Sequence, residues 1–225
     1  MSKMLASVNS VAEALLVLNA EVDITDLKQP ALGALGALDI ELVTEIVEKI
    51  AGRCPVSATV GDLPMQPELI FNAVNAMAQT NVDYIKIGFF PDGDSFAVVE
   101  KLSELAKTYK LIAVLFADTQ PDFTIIPALK SAGFAGVMLD TMNKQQGSLT
   151  QVMTLSNIAR FVNLAKTQSL LCGLAGSLKL ADIATLKLFQ ADYLGFRGAL
   201  CVQQHRTGQL DSSAIDQIKQ AITQF

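Results

Sequence analysis

Tryptophan is absent from this chain of 225 residues, histidine occurs once and cysteine three times. With a single histidine, His205, in a polar stretch and no CxxC pair, the sequence argues against a zinc set and against a histidine-based triad. Cys54, Cys172 and Cys201 are odd in number and unrelated in spacing, so they read as small buried hydrophobes of a reducing compartment. Charge is sparse as well. Charged residues make up 17%, net charge is −5, and no cluster of Lys or Arg stands out, which argues against a nucleic-acid surface. The longest apolar runs, such as 111–117, fall far short of the ~20 residues of a membrane helix. Residues 1–10 hold one lysine and no signal-peptide core. A soluble cytoplasmic protein without membrane or nucleic-acid partners is expected. What the chain has in quantity is apolar residues, 51%, enough to bury a large core and to exclude disorder.

Short β-rich apolar runs alternate with amphipathic helical patterns throughout. Strands are expected at 4–8, 22–27, 55–60, 84–89, 111–117, 136–139, 170–174 and 193–197. Helices are expected at 11–19, 38–50, 68–79, 95–109, 124–131, 155–166, 180–189 and 213–223. Asp94 and Asp211 suit helix N-caps. Eight β-then-α units of about 28 residues approach the length of a (β/α)8 TIM barrel. An open doubly wound sheet is the competing α/β arrangement. The count of eight and the closing helix favour the barrel, as one domain over 1–225, since no Pro- or Gly-rich linker divides the chain. Barrels of this size often associate and the apolar fraction leaves room for an interface, so a homo-oligomer is expected.

Such barrels place their chemistry at the carboxyl ends of the strands. Asp26 and Lys28 share one face at the end of the second strand, by the two-residue alternation of side chains. In the fourth strand Tyr84, Lys86 and Gly88 point inward and Ile85 and Ile87 outward. A lysine inside a barrel is costly unless paired or functional. The sixth strand ends at Asp140-Thr141, with Lys144 just beyond. Two carboxylates and three amines thus converge on one mouth. After the seventh and eighth strands, Gly176, Ser177, Arg197 and Gly198 are the residue types of a phosphate cup. Gly33 and Gly36 suit a further backbone-lined loop or a plain turn. Asp62, Asp92 and Asp94 read as solvated turn residues, Asp118 as a minor participant and His205 as surface. A neutral lysine attacks a carbonyl to form an imine, which acidifies the adjacent carbon. The set therefore suits lysine-dependent carbon–carbon chemistry on a phosphorylated aldehyde or ketone, with no metal or organic cofactor.

Several segments also carry a resemblance. Asp26-Leu27-Lys28-Gln29-Pro30 with Gly33-Ala34-Leu35-Gly36 resembles the DxKxP…GxLG segment of (5-formylfuran-3-yl)methyl phosphate synthases. Similar matches are Val56-Ser57-Ala58-Thr59-Val60-Gly61-Asp62, Asp83-Tyr84-Ile85-Lys86-Ile87-Gly88, Met138-Leu139-Asp140-Thr141 with Lys144, Leu174-Ala175-Gly176-Ser177 and Phe196-Arg197-Gly198-Ala199. They span nearly the whole chain in the family's order. The resemblance implies condensation of two glyceraldehyde 3-phosphate molecules, with loss of phosphate and water, to the furan precursor of methanofuran-type carriers. It maps the family's lysines onto Lys28, Lys86 and Lys144 and its acidic pair onto Asp26 and Asp140. Lys28 is the expected imine-forming residue, with Lys86 the alternative. Asp26 is expected to orient Lys28, and Lys144 and Asp140 to move protons. Another imine-forming aldolase and a barrel that only binds a phospholigand are the rival readings.

Overall fold

Runs such as Leu-Ile-Ala-Val-Leu-Phe have no polar face, and a parallel sheet roofed by helices can bury both sides of them. In the computed structural model, which describes residues 2–224, these runs form β1 (Lys3–Val8), β2 (Ile24–Leu27), β3 (Val56–Thr59), β4 (Tyr84–Phe89), β5 (Leu111–Phe116), β6 (Gly136–Asp140), β7 (Leu171–Leu174) and β8 (Tyr193–Phe196). All pairings are parallel and follow chain order, and β1 closes on β8 through Leu5 opposite Gly195. The helices are α1 (Val11–Asn19), α2 (Ile40–Ile50), α3 (Pro67–Ala78), α4 (Ser95–Ala106), α5 (Ile125–Ser131), α6 (Leu149–Val152), α7 (Leu155–Thr167), α8 (Leu180–Lys187) and α9 (Ser212–Thr223). The closed barrel, rather than the open sheet, is the fold.

Most expected elements occur within two residues of their expected bounds. The fourth helix stops at Ala106 rather than Tyr109, where the amides of Thr108 and Tyr109 both fold back onto Leu105. The four-residue α6 and short 3₁₀ turns at Pro30–Leu32 and Gly198–Leu200 had no periodic pattern to announce them. Asp94 and Asp211 cap α4 and α9, each carboxylate accepting a first-turn amide. Among the described residues no helix is long and apolar enough to cross a membrane.

Strand alternation splits the core into two layers. Met4, Ala6, Val8, Ile85 and Ile87 face outward and meet helix residues such as Val17, Ile46 and Val74. Inside the barrel, Leu5, Ile24, Ile112, Val114, Phe116 and Met138 form a smaller apolar plug. The plug fills the floor and the β5 side, and leaves the carboxyl ends of β2, β4 and β6 to polar groups.

The floor has a repeated fastening. Asp23, Asp83 and Asp192 each lie immediately before an even-numbered strand. Their carboxylates accept the amides of Met4, Val56 and Cys172 at 2.8, 2.8 and 2.7 Å. Each aspartate thereby ties its strand to the preceding one: β2 to β1, β4 to β3, β8 to β7. A hydrogen bond to a charged acceptor contributes about 1.5–3 kcal/mol, less where water competes. Asp83→Ala is therefore expected to lower stability by about 1–2 kcal/mol, a fall in Tm of roughly 2–8 °C, with kcat unchanged. Thermal denaturation alongside a turnover assay checks this.

Candidate active site

The carboxyl ends of the strands surround a cavity of about 300 Å³, and all nine residues expected at the site line it. They do not stand in the pairing expected. Asp26 has none of its surface exposed, and its carboxylate meets Lys86 Nζ at 2.7 Å. It also accepts hydrogen bonds from Ser7 Oγ at 2.8 Å and Ser57 Oγ at 2.6 Å. Burial acts to raise the Asp26 pKa, but Lys86, Lys28 and the Ser57 hydroxyl prevail, and the carboxyl is held below its usual range. Asp26 is thus the partner of Lys86 rather than the orienting group of Lys28. Ser7 and Ser57, which complete its shell, were overlooked in the sequence, although each is a hydroxyl on the inward face of an apolar strand.

Asp140, at the end of β6, takes an ion pair and hydrogen bond from Lys144 and the amide of Thr141 at 2.7 Å. Lys144 also reaches Thr141 Oγ1 at 3.3 Å. Burial opposes ionisation of Asp140, yet Lys144, Lys28 and these hydrogen bonds bring its pKa down to about 2. The loop carrying Lys144 is held by Asp118, whose carboxylate accepts the amides of Met142 and Asn143 at 2.7 Å each. Asp118 itself stands outside the cavity lining.

Lys28 differs from the other two lysines. It is buried, its nearest carboxylate oxygen is Asp140 Oδ2 at 3.9 Å, and among the described residues Nζ donates no hydrogen bond. Burial lowers its pKa, Asp140 raises it, Lys144 lowers it again, and the balance lies at about 8. An ordinary lysine of pKa ≈ 10.4 is neutral about once in ~2,500 molecules at pH 7, whereas pKa 8 gives roughly one in ten. Of these three amines, one is therefore without a hydrogen bond among the described residues and two are tightly bound to carboxylates.

The opposite wall is backbone. Gly176 has φ +109°, and a Cβ there would lie 2.7 Å from Thr141 Cγ2, so only glycine fits. Ser177 follows at φ +46°. The amides of Gly176, Ser177, Gly198 and Ala199 are donors in no hydrogen bond among the described residues, which leaves them available to an anion. Arg197 lines the cavity but its guanidinium is fully engaged: Nε donates to Arg206 O, NH1 to Ser7 O and Glu13, NH2 to Glu13 and Gly208 O. Those bonds use all five N–H donors, contrary to the expectation that this side chain holds phosphate.

The remaining residues sort as follows. Asp62 is no mere turn residue, because its carboxylate accepts the amides of Ala34 and Leu35 at 2.8 and 2.7 Å and fixes the loop after β2. Gly33 and Gly36 shape that loop without lining the cavity. His205 is exposed. Two cations missed in the sequence, Lys179 and Arg206, also line the cavity. Among the described residues no three His, Cys, Asp or Glu side chains gather in a way that could hold a metal ion. The whole can bind a phosphorylated carbonyl compound, present an amine to its carbonyl carbon and move protons beside it.

Comparison with known proteins agrees with this geometry. The sequence pattern of the 4-HFC-P synthase family matches residues 4–219. A protein of Methylorubrum extorquens is 39% identical, with 98% of this chain and 91% of that protein covered. The (5-formylfuran-3-yl)methyl phosphate synthase of Methanobrevibacter smithii is 32% identical, with 95% of each covered. Among solved structures, phosphoribosyl anthranilate isomerase from Thermotoga maritima superposes with a TM-score of 0.72 at 12% identity, covering 99% of this chain and 98% of that one, which shows the fold alone. This chain belongs to the 4-HFC-P synthase family.

Proposed function

We propose that the cavity condenses two molecules of glyceraldehyde 3-phosphate into (5-formylfuran-3-yl)methyl phosphate, a precursor of a methanofuran-type carrier, through an imine on Lys28. The observation that carries this is the state of Lys28: a buried amine of lowered pKa with no hydrogen bond at Nζ among the described residues, in a chain of this family.

Neutral Lys28 attacks the carbonyl carbon of one substrate (in its aldehyde or isomerised ketone form) and water leaves, giving an iminium. Loss of a proton from the adjacent carbon gives an enamine, and that carbon bonds to the carbonyl carbon of the second molecule. Elimination of one phosphate, ring closure through a hydroxyl, loss of water and hydrolysis of the imine return the free lysine. The balance is two substrates giving one furan phosphate, one inorganic phosphate and two waters. The iminium is the electron sink, so the route calls on no cofactor.

The Lys144–Asp140 pair stands beside Lys28 and is assigned the proton transfers. The Lys86–Asp26 pair sits deeper and forms the wall behind Lys28, its carboxylate also held by Ser7 and Ser57. The amides of Gly176, Ser177, Gly198 and Ala199 receive the phosphate that is retained.

Incubation with glyceraldehyde 3-phosphate and borohydride is expected to leave a reduced adduct on Lys28, read by intact mass and peptide mapping, while untreated enzyme releases inorganic phosphate. An adduct without phosphate release marks an ordinary aldolase, and an adduct on Lys86 transfers the nucleophile's role there. In Lys144→Ala the Lys28 adduct persists while turnover falls ~10²–10⁴-fold, as for loss of a proton-transfer group. The acid limb of kcat/KM is expected near pH 8, because the attacking amine must be neutral in the free enzyme. In Asp140→Asn that limb moves to lower pH, since removing the carboxylate deletes the influence that favours charged Lys28. A limb that stays in place would contradict Lys28 as the titrating group.

A further inference from the structure

A reaction that takes in two phosphate esters and releases one phosphate needs two anion sites of different character; this inference rests on the reaction proposed above. The backbone amides of the β7 and β8 loops account for one. We propose that Arg206, on the segment between β8 and α9, supplies the second and binds the phosphate that departs.

The two arginines of the cavity wall make the case by contrast. Arg197 has every donor engaged and is neutralised by Glu13. Arg206 lines the same cavity, half-buried, and its guanidinium makes a single hydrogen bond among the described residues, NH2 to Gly33 O at 2.9 Å. It has no ion-pair partner there. Four N–H donors of a half-buried, permanently charged group thus remain for something that enters the cavity, and a fork of donors matches phosphate oxygens.

Charge points the same way. The cavity is lined by six cationic side chains against two carboxylates, in a protein whose net charge is −5. Lys86 and Lys144 occupy the carboxylates and Glu13 occupies Arg197, which leaves Lys28, Lys179 and Arg206 without a close counter-ion of their own. That excess of positive charge draws phosphate groups towards the wall that carries Arg206.

The backbone that carries Arg206 is fixed. Gln203 and Gln204 both adopt left-handed conformations, φ 53° and 58°, turning the segment back across the cavity. Arg197 then grips it at two carbonyls, Arg206 O and Gly208 O, each at 2.8 Å. Arg197 therefore acts as the positioning residue for the arginine that meets the ligand. Because Arg206 is only half-buried, a phosphate held there can leave to solvent without passing the retained ester. In the elimination, the Lys144–Asp140 pair takes a proton from the carbon next to the one that bears the phosphate ester, and the C–H electron pair becomes a C=C bond. The C–O bond breaks with its pair going to the phosphate oxygen, and the added negative charge develops against the guanidinium.

Titration of the full chain with inorganic phosphate by calorimetry tests the assignment, together with steady-state inhibition by the same ion. The wild type is expected to bind two phosphates per chain and Arg206→Gln one. Phosphate product inhibition in Arg206→Gln weakens by about 10- to 100-fold, the loss of a charge-assisted hydrogen-bonding partner. Arg206→Lys recovers part of it. Since the substitution spares the backbone carbonyl that Arg197 grips, Tm should be little changed. Equal phosphate stoichiometry in wild type and Arg206→Gln, or a single site in the wild type, overturns the proposal. So does loss of Tm in both variants with phosphate inhibition intact, which a purely structural tie to Gly33 would give. Failure of the furan-forming reaction shows separately, as absence of turnover in the wild type while the phosphate count still decides Arg206.

Discussion

Asp26 carries a full negative charge in a place that water does not reach, and the surrounding barrel is arranged to make that tolerable. Burying an ion costs several kcal/mol unless donors replace its hydration. Here the replacements come from three other strands: Ser7 on β1, Ser57 on β3 and Lys86 on β4. One carboxylate therefore binds four neighbouring strands at a single level of the barrel. It also fixes the position of Lys86, while Lys28 has no carboxylate nearer than 3.9 Å among the described residues. Without Asp26, a buried ammonium and two buried hydroxyls would be left without their acceptor, and the wall behind the cavity would have to rearrange.

The consequence for chemistry lies in how unequally three lysines share two carboxylates. Lys86 and Lys144 each hold one closely, while Lys28 stands 3.9 Å from an oxygen whose neighbour already serves Lys144. At Lys28 no carboxylate stands close enough to offset burial, and its pKa falls to about 8. Pairing geometry thus sets one amine apart from two that are held by carboxylates, although all three are the same residue type. Arginine shows the same division across the cavity, where Arg197 has all five donors engaged and Arg206 one among the described residues.

Much of this was legible in the sequence, and what was not has specific causes. The alternation Tyr84-Ile85-Lys86-Ile87 alone places Lys86 inside the barrel, because a strand has only two faces. Eight apolar runs with helical patterns between them give the closed fold by count. Which carboxylate pairs with which lysine was hidden, since the relative height of β2 and β4 is set by register through β3 and is written in no local pattern. Arg197 looked suited to phosphate by type and position, yet its partner Glu13 lies 184 residues away in α1. Arg206 was not legible, because the segment after β8 has no periodicity from which to tell inward from outward, and its neighbour His205 is at the surface as expected. Ser7 and Ser57 were legible in principle as hydroxyls on otherwise apolar inner faces.

The aspartates beneath the barrel have a bearing on how such a protein changes over time. They join β1 with β2, β3 with β4 and β7 with β8 at the end of the strands remote from the cavity. Part of the cohesion therefore comes from residues at the pole of the strands opposite the cavity. Loops at the reactive pole can be lengthened, shortened or re-charged while the paired strands stay fastened below. A barrel built this way can acquire a new substrate by altering its upper rim alone, without first having to find a new way to hold together.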